Sequence, residues 1–247
     1  TWQPSAEHFT MYDDIDIAEP ATLWDDHVGR ADVVKAMEMR IMDLDPIVDL
    51  KAPVPPGLSE REEISWRYQR YIKDYLRTIA SIDDNVGRML DWLDDNDLTD
   101  NTLVVYTSDQ GFFLGDHGWF DKRMMYEESL NMACLARLPG TIPASSTSDA
   151  MAVNVDFAPT FLDIAGIEIP AGMQGRSLLP ILLGEVPDDW PESMRFPSWE
   201  AVSENVSSKK TPKITDERIS ALLIRSPLVK RPMRYQDACF TVRLLQC

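Results

Sequence analysis

Cysteine occurs at only three of 247 positions, Cys134, Cys239 and Cys247, so the chain is not a small fold stapled by a complete set of disulfides. No apolar run approaches the roughly 18 residues of a membrane span, and residues 1–30 hold no basic-then-apolar leader. Internal repeats and low-complexity tracts are also lacking. Basic side chains are few: 24 Lys and Arg face 41 Asp and Glu, a formal net charge of -17 that repels phosphate backbones and argues against nucleic acid as a partner. What is present is an ordinary globular composition, 44% hydrophobic and 26% charged. A chain of this length forms one large domain or a domain with a small appendage, and buries about 70 to 75% of its unfolded surface. It opens on Thr1, and is expected to begin in mid-protein.

Charge divides the chain near Met194. Residues 1–194 carry 14 basic and 36 acidic side chains, whereas residues 195–247 carry 10 basic and 5 acidic. The expected organisation is therefore a partial α/β domain over 1–194, followed by an unmatched basic segment over 195–247 that is a divergent or disordered extension or the product of a changed reading frame.

The first 58 residues read as surface-covering loop with one short helix near Asp32 to Met42. Ser59 with Glu62 three residues later forms a capping box. Apolar positions from Ile64 through Tyr68, Tyr71, Ile72, Ile79, Ile82, Val86, Met89 and Leu93 keep helical spacing almost to Asp95, predicting one helix or two end to end with that stripe buried. Thr102 to Thr107 is a β-rich run without alternation and reads as a central strand buried on both faces. Met132 to Leu138 is a second strand. Asp156 is positioned to cap a helix through Ile164, and Gly175-Arg176-Ser177 leads into another from Leu178 to Leu183. Strands alternating with helices predict an α/β fold with a mostly parallel central sheet flanked by helices.

In open α/β sheets ligands bind beyond the carboxyl ends of the strands, which is where Ser108 to Met125 falls. Asp109 and Gln110 set two hard oxygen donors side by side, suited to a divalent cation such as Ca2+. Gly111, Gly115 and Gly118 let the backbone crowd these groups together. His117 and Lys122 add a proton-transfer group and a fixed positive charge, so that an anionic oxyester held by the cation could be gripped by Lys122 while His117 orients or protonates groups nearby.

Thr107-Ser108-Asp109-Gln110-Gly111, Gly115-Asp116-His117-Gly118-Trp119, Asp121-Lys122-Arg123 and Tyr126-Glu127-Glu128-Ser129 together resemble the second half of the formylglycine-dependent sulfatases, within the alkaline phosphatase superfamily. Ile82 to Arg88, Asp156-Phe157-Ala158-Pro159-Thr160 and Gly175-Arg176-Ser177-Leu178 extend the resemblance over about residues 60–185. It implies a Ca2+ site with Asp109 and Gln110 on one side, Lys122 as the contact that neutralises the sulfate, and His117 as a leaving-group or substrate contact. It also implies a sulfated small molecule or carbohydrate as substrate, and by family habit a periplasmic or secreted enzyme. The family nucleophile, a formylglycine made from Cys or Ser in C-x-P-S-R or C-x-A-S-R, is not in these 247 residues. Cys134-Leu135-Ala136-Arg137 lacks the Ser and reads as a buried strand. His8 and His27 read as loop or surface.

The sequence thus predicts part of a sulfuric ester hydrolase whose formylglycine and remaining metal ligands lie in an N-terminal part, and which is inactive alone. A phosphodiesterase or phosphonate hydrolase of the same superfamily is the nearest alternative, with the Gly115 to Lys122 pattern favouring the sulfatase. A truncated product without catalysis is the alternative from another class.

Overall fold

The computed structural model describes residues 2–193 and the backbone of 224–225 and 240–245. The chain forms two compact units, one from Thr1–Asn96 with Phe112–Ser129, the other from Asp97–Gly111 with Leu130–Cys247. Apart from those two backbone stretches, the expectation for 195–247 lies outside the described residues.

The first unit is built on one helix. After a short helix α1 (Asp32–Lys35), helix α2 runs unbroken from Glu60 to Asp95, a rod of about 54 Å at 1.5 Å per residue. Its capping box forms as the sequence predicts, with the Ser59 N–H donating to Glu62 Oε2 at 2.8 Å. Asn96 closes it, and Asp97 turns away with φ 53°. The apolar stripe is buried only in part: Tyr68, Tyr71, Ile72 and Leu93 are covered, while Met89 is exposed.

The irregular first 58 residues are held by side chains reaching out from α2. Gln69 accepts from the Ile17 N–H and donates to its carbonyl, at 3.0 and 2.7 Å. The Tyr68 hydroxyl donates to Ala18 O, Arg67 to Leu44 O, Arg70 to Leu50 O and Arg77 to Met11 O. Asp74, 6% exposed, collects Lys51 at 2.8 Å and Arg77 at 3.0 Å, with Arg70 at 3.6 Å. Lys51 also donates to Trp2 O. His8, read from the sequence as loop or surface, is buried; it shares Nδ1 with Ser5 Oγ at 2.7 Å and sets Nε2 3.3 Å from Asp84 on α2.

The second unit is a sheet with helices. Strand β1 (Thr102–Thr107) pairs antiparallel with β4 (Asn131–Arg137), β4 antiparallel with β7 (Phe240–Leu245), and β7 parallel with β5 (Thr147–Val153); β6 (Ile224–Arg225) lies antiparallel on the other side of β1. The sheet order is β5-β7-β4-β1-β6. The expectation of mostly parallel pairing is corrected here, because only β5–β7 is parallel among the described pairings. Parallel neighbours need a crossover that returns the chain to the starting edge. Between Thr107 and Asn131 stand only the two-residue strands β2 (Phe113–Leu114) and β3 (Phe120–Asp121), a 3-10 turn and the four-residue helix α3 (Glu127–Leu130). β4 therefore runs back beside β1. Burial on both faces of β1 is also incomplete: Leu103 and Val105 are in the core while Val104 and Tyr106 are half-buried.

Helix α4 (Phe157–Ile164) and helix α5 (Leu179–Leu182) bring Ile164, Ile181 and Leu182 into the core formed with Leu103, Met132, Cys134 and Ala152. Asp156 precedes α4 without capping it through its side chain. Instead it accepts from the Val153 N–H at 3.0 Å and the Arg176 N–H at 2.8 Å, holding the turn before α5. Burial pushes its carboxyl above the ordinary value, and the two backbone hydrogen bonds pull against that rise. A Cβ on Gly175, at φ 88°, would lie 2.3 Å from Val155 O, so glycine is required in this turn.

Asp74→Ala should lose about 3 kcal/mol or more of stability in a denaturant titration, because it leaves Lys51 and the buried Arg77 without their shared carboxylate. Trp92→Gln, at an exposed position on the same helix, should change the midpoint little.

Candidate active site

The four predicted site residues fall in two pairs. Asp109 and Gln110 follow β1 in the sheet unit, and His117 and Lys122 belong to the β2–β3 hairpin of the helix unit.

Asp109 is exposed and Gln110 half-buried. The loop that carries them is tied by Asn154, whose Nδ2 donates to the Asp109 carbonyl at 2.9 Å across 45 residues. Ser108 Oγ donates weakly to Asp109 Oδ1 at 3.4 Å. The carboxylate and the neighbouring amide oxygen are thus available as hard donors, which fits Ca2+ in chemistry. They fall short in number, since Ca2+ takes six to eight oxygens. Among the described residues no cluster of three His, Cys, Asp or Glu could hold a metal, so Asp109 and Gln110 do not make a metal site by themselves. Asn154 escaped the sequence reading, because nothing local to it signals a partner so far along the chain.

The hairpin of β2 and β3 pairs Phe113 with Asp121 and Leu114 with Phe120. At its base the Tyr71 hydroxyl donates to Phe113 O at 2.9 Å, and Phe120 N–H donates to Met39 O at 2.8 Å. Between the strands the chain makes a 3-10 turn over Asp116–Gly118, entered at Gly115 with φ 104°. A Cβ at Gly115 would lie 2.6 Å from the Tyr68 ring, so the turn sits directly on α2. Phe113 and Trp119 are fully buried edge to face, with ring centroids 5.3 Å apart. His27 lies in a loop, one of the two readings the sequence allowed, but is 1% exposed and stacks on Trp119 at 4.7 Å; burial lowers its pKa, which favours the neutral ring.

His117 adopts a left-handed backbone, φ 56° and ψ 21°, and its N–H donates to Thr22 Oγ1 at 3.1 Å. Both ring nitrogens are engaged: Nδ1 lies 3.1 Å from Asp25 Oδ2 and Nε2 3.5 Å from Glu128 Oε1. Nδ1 is thus within hydrogen-bond distance of Asp25, while Nε2 faces Glu128 at the longer distance. Asp25 also accepts from the His27 N–H at 2.9 Å and from Arg30 Nη2 at 2.6 Å, and Arg30 Nη1 donates to the Tyr126 hydroxyl at 2.7 Å. The His27 backbone hydrogen bond, more than those of His117 and Arg30, holds the Asp25 carboxyl below its ordinary value of 3.8 against the cost of burial. No role is read from the sequence for Asp25 or Arg30, and Glu128 enters only as part of the Tyr126-Glu127-Glu128-Ser129 motif.

Lys122 follows β3 directly and is exposed. Its Nζ lies 5.9 Å from the centroid of the Phe112 ring, and no carboxylate pairs with it among the described residues. The neighbouring Arg123 is the one engaged by Asp121, at 3.0 Å. Cys134 is 2% exposed on β4 with its thiol pushed up to about 12 by burial, an inert packing residue.

The profile of the sulfatase family matches residues 3–167. The chain belongs to the sulfatase family. The profile described as N-sulphoglucosamine sulphohydrolase, C-terminal, matches residues 115–222, running past Met194 into the segment where the charge reverses. The sulfatase chain is similar to an N-acetylglucosamine-6-O-sulfatase of Bacteroides thetaiotaomicron, 37% identical over 83% of this chain and 44% of the relative. The N-acetylglucosamine-6-sulfatase of Homo sapiens is 34% identical over 56% of this chain and 25% of its own length. A solved structure in complex with its substrate, D-glucosamine-2-N,6-O-disulfate, superposes with a TM-score of 0.73 at 40% identity, over 77% of this chain and 47% of that one. That match establishes the sulfatase α/β fold for the chain, which spans less than half the length of these relatives.

The Asp25 carboxylate gives a pH signature. Because its folded pKa lies below 3.8, its stabilising effect is complete above the unfolded value and disappears as pH falls through the folded one. The melting-temperature gap between wild type and Asp25→Asn should be constant above about pH 5 and shrink below 3.8.

Proposed function

We propose that the protein hydrolyses sulfate esters of glucosamine-type sugars, with a 6-O-sulfate as the group removed. Family membership and the names of its relatives support the reaction class, and the observation that carries the assignment to residues is Lys122: an exposed ammonium with no carboxylate partner among the described residues, at the end of a hairpin that is otherwise tightly bonded.

Lys122 binds the sulfate and offsets the negative charge that grows on its oxygens as the ester bond breaks. In a chain whose first 194 residues carry 36 acids against 14 bases, an unpaired cation favours the approach of an anionic sulfate ester. Asp109 and Gln110 contribute two of the oxygen ligands to a Ca2+ ion, and Asn154 keeps their backbone in place. Formylglycine, supplied from outside these 247 residues, provides the covalent chemistry that divides one hard step into two easier ones.

In the intact protein, Lys122→Ala should lower kcat on a 6-O-sulfated glucosamine by about 10²- to 10³-fold while the protein still folds. Asp109→Ala should raise the Ca2+ concentration needed for half-maximal turnover after chelation. Unchanged kcat in Lys122→Ala, or turnover of phosphodiesters in preference to sulfate esters, would overturn the assignment.

A further inference from the structure

We infer that Asp25, Arg30, His117, Tyr126 and Glu128 form a clamp whose task is to position Lys122. The inference rests on the sulfatase reading for what Lys122 does, but the clamp itself is argued from geometry.

Lys122 has little to hold it directly. Its one described contact is the Phe112 ring at 5.9 Å, and the residue before it, Asp121, has φ 70°. Its place is therefore set by the hairpin it terminates. That hairpin is short, with two residues in each strand, too few ladder bonds to be stable alone. Tyr71 and Met39 secure its base, whereas its tip is secured by His117.

His117 is an unusual residue to find at a tip. A non-glycine side chain at φ 56° carries a backbone cost, kept only where surrounding contacts over-determine it. The backbone N–H is bonded to Thr22, one ring nitrogen faces Asp25 and the other Glu128, and the ring lies edge-on to Tyr126 at 5.0 Å. Asp25 is fixed in turn by the His27 N–H and Arg30, and Arg30 reaches across to the Tyr126 hydroxyl. The network thus fastens the Thr22–Arg30 loop to both sides of Lys122 in sequence, at His117 before it and at Tyr126 and Glu128 after it. A plain structural salt bridge would tie one point; this arrangement brackets the cation. Since an error of about 1 Å in a charge-stabilising group can cost about a hundredfold, such bracketing matters to rate more than to binding.

The test has two readouts. By hydrogen exchange, Asp25→Asn should lose at least about tenfold protection at amides of residues 113–126 and keep that of Tyr68–Asp74 on α2. In turnover of a 6-O-sulfated glucosamine, it should lower kcat by ten- to a hundredfold with KM within about threefold, and Asp25→Glu should recover part of the loss. Should Asp25→Asn fold poorly, Tyr126→Phe, which removes only the bond to Arg30, should show both effects in smaller degree. The deciding comparison is the double variant: with Lys122→Ala already present, Asp25→Asn should cost less than about twofold more. Undiminished protection, or kcat losses that simply multiply in the double variant, would overturn the clamp. If protection falls but Lys122→Ala alone retains full turnover, the sulfatase role of Lys122 is what fails, and the tie on the hairpin is upheld.

Discussion

An irregular stretch of nearly sixty residues can hold one shape only if its backbone carbonyls find donors, and in this chain helix α2 supplies them. Arg67, Arg70 and Arg77 each reach a loop carbonyl, Gln69 pairs with both polar groups of Ile17, and Tyr68 donates to Ala18. The cationic side chains are kept in place by carboxylates on the same helix, Glu63 for Arg67 and Asp74 for Arg70 and Arg77. Buried polar backbone left unpaired would cost several kcal/mol per segment, so these bonds decide whether the covering layer exists at all. The loops in turn provide Thr22, Asp25 and Met39, on which the β2–β3 hairpin rests. The placement of Lys122 thus descends from α2 through the loops to the hairpin.

How much of this could be read in the sequence depends on how local the cause is. The start of α2 was legible because Ser59 and Glu62 act across three residues, and its continuity followed from the apolar spacing. β1 and β4 were legible as strands from their apolar runs, but their direction was not, since a run such as Leu103-Val104-Val105 looks the same in either orientation. The role of Asp156 was misjudged for a related reason. Its partner Arg176 is 20 residues away, and a cap is the reading that needs only neighbours. Strand β5, with its polar Thr147-Ser148-Asp149 start, carries no strand signature and is recruited by pairing with β7.

The candidate site divides along the same line. Asp109, Gln110, His117 and Lys122 stood out as chemically capable residues clustered in a glycine-containing loop. What the sequence could not rank was their availability. His117 has the more versatile side chain, yet both its nitrogens face carboxylates, while Lys122, ordinarily a solvated charge, has no carboxylate partner among the described residues. The distinction was set by Asp25, 92 residues before His117 and indistinguishable by sequence from its neighbour Asp26. Asp26 only turns its own loop, accepting from Val28 N–H.

The excess of acid gives that distinction its force. With 36 acidic side chains against 14 basic ones in residues 1–194, cations have many carboxylates to meet, and Lys51, Arg67, Arg70, Lys73 and Arg77 in and beside α2 are drawn into carboxylates or carbonyls. Keeping Lys122 out of such a pair requires that nearby carboxylates be occupied by something else. Asp121, its neighbour in sequence, is taken by Arg123, Asp116 accepts from Thr22, Asp25 is taken by Arg30 and His117, and Glu128 faces His117. His117 and Arg30 therefore act by occupancy as well as by mechanical support: Asp25 is held by Arg30 and His117, Asp121 is paired with Arg123, and the ammonium is left for an anion that arrives from outside.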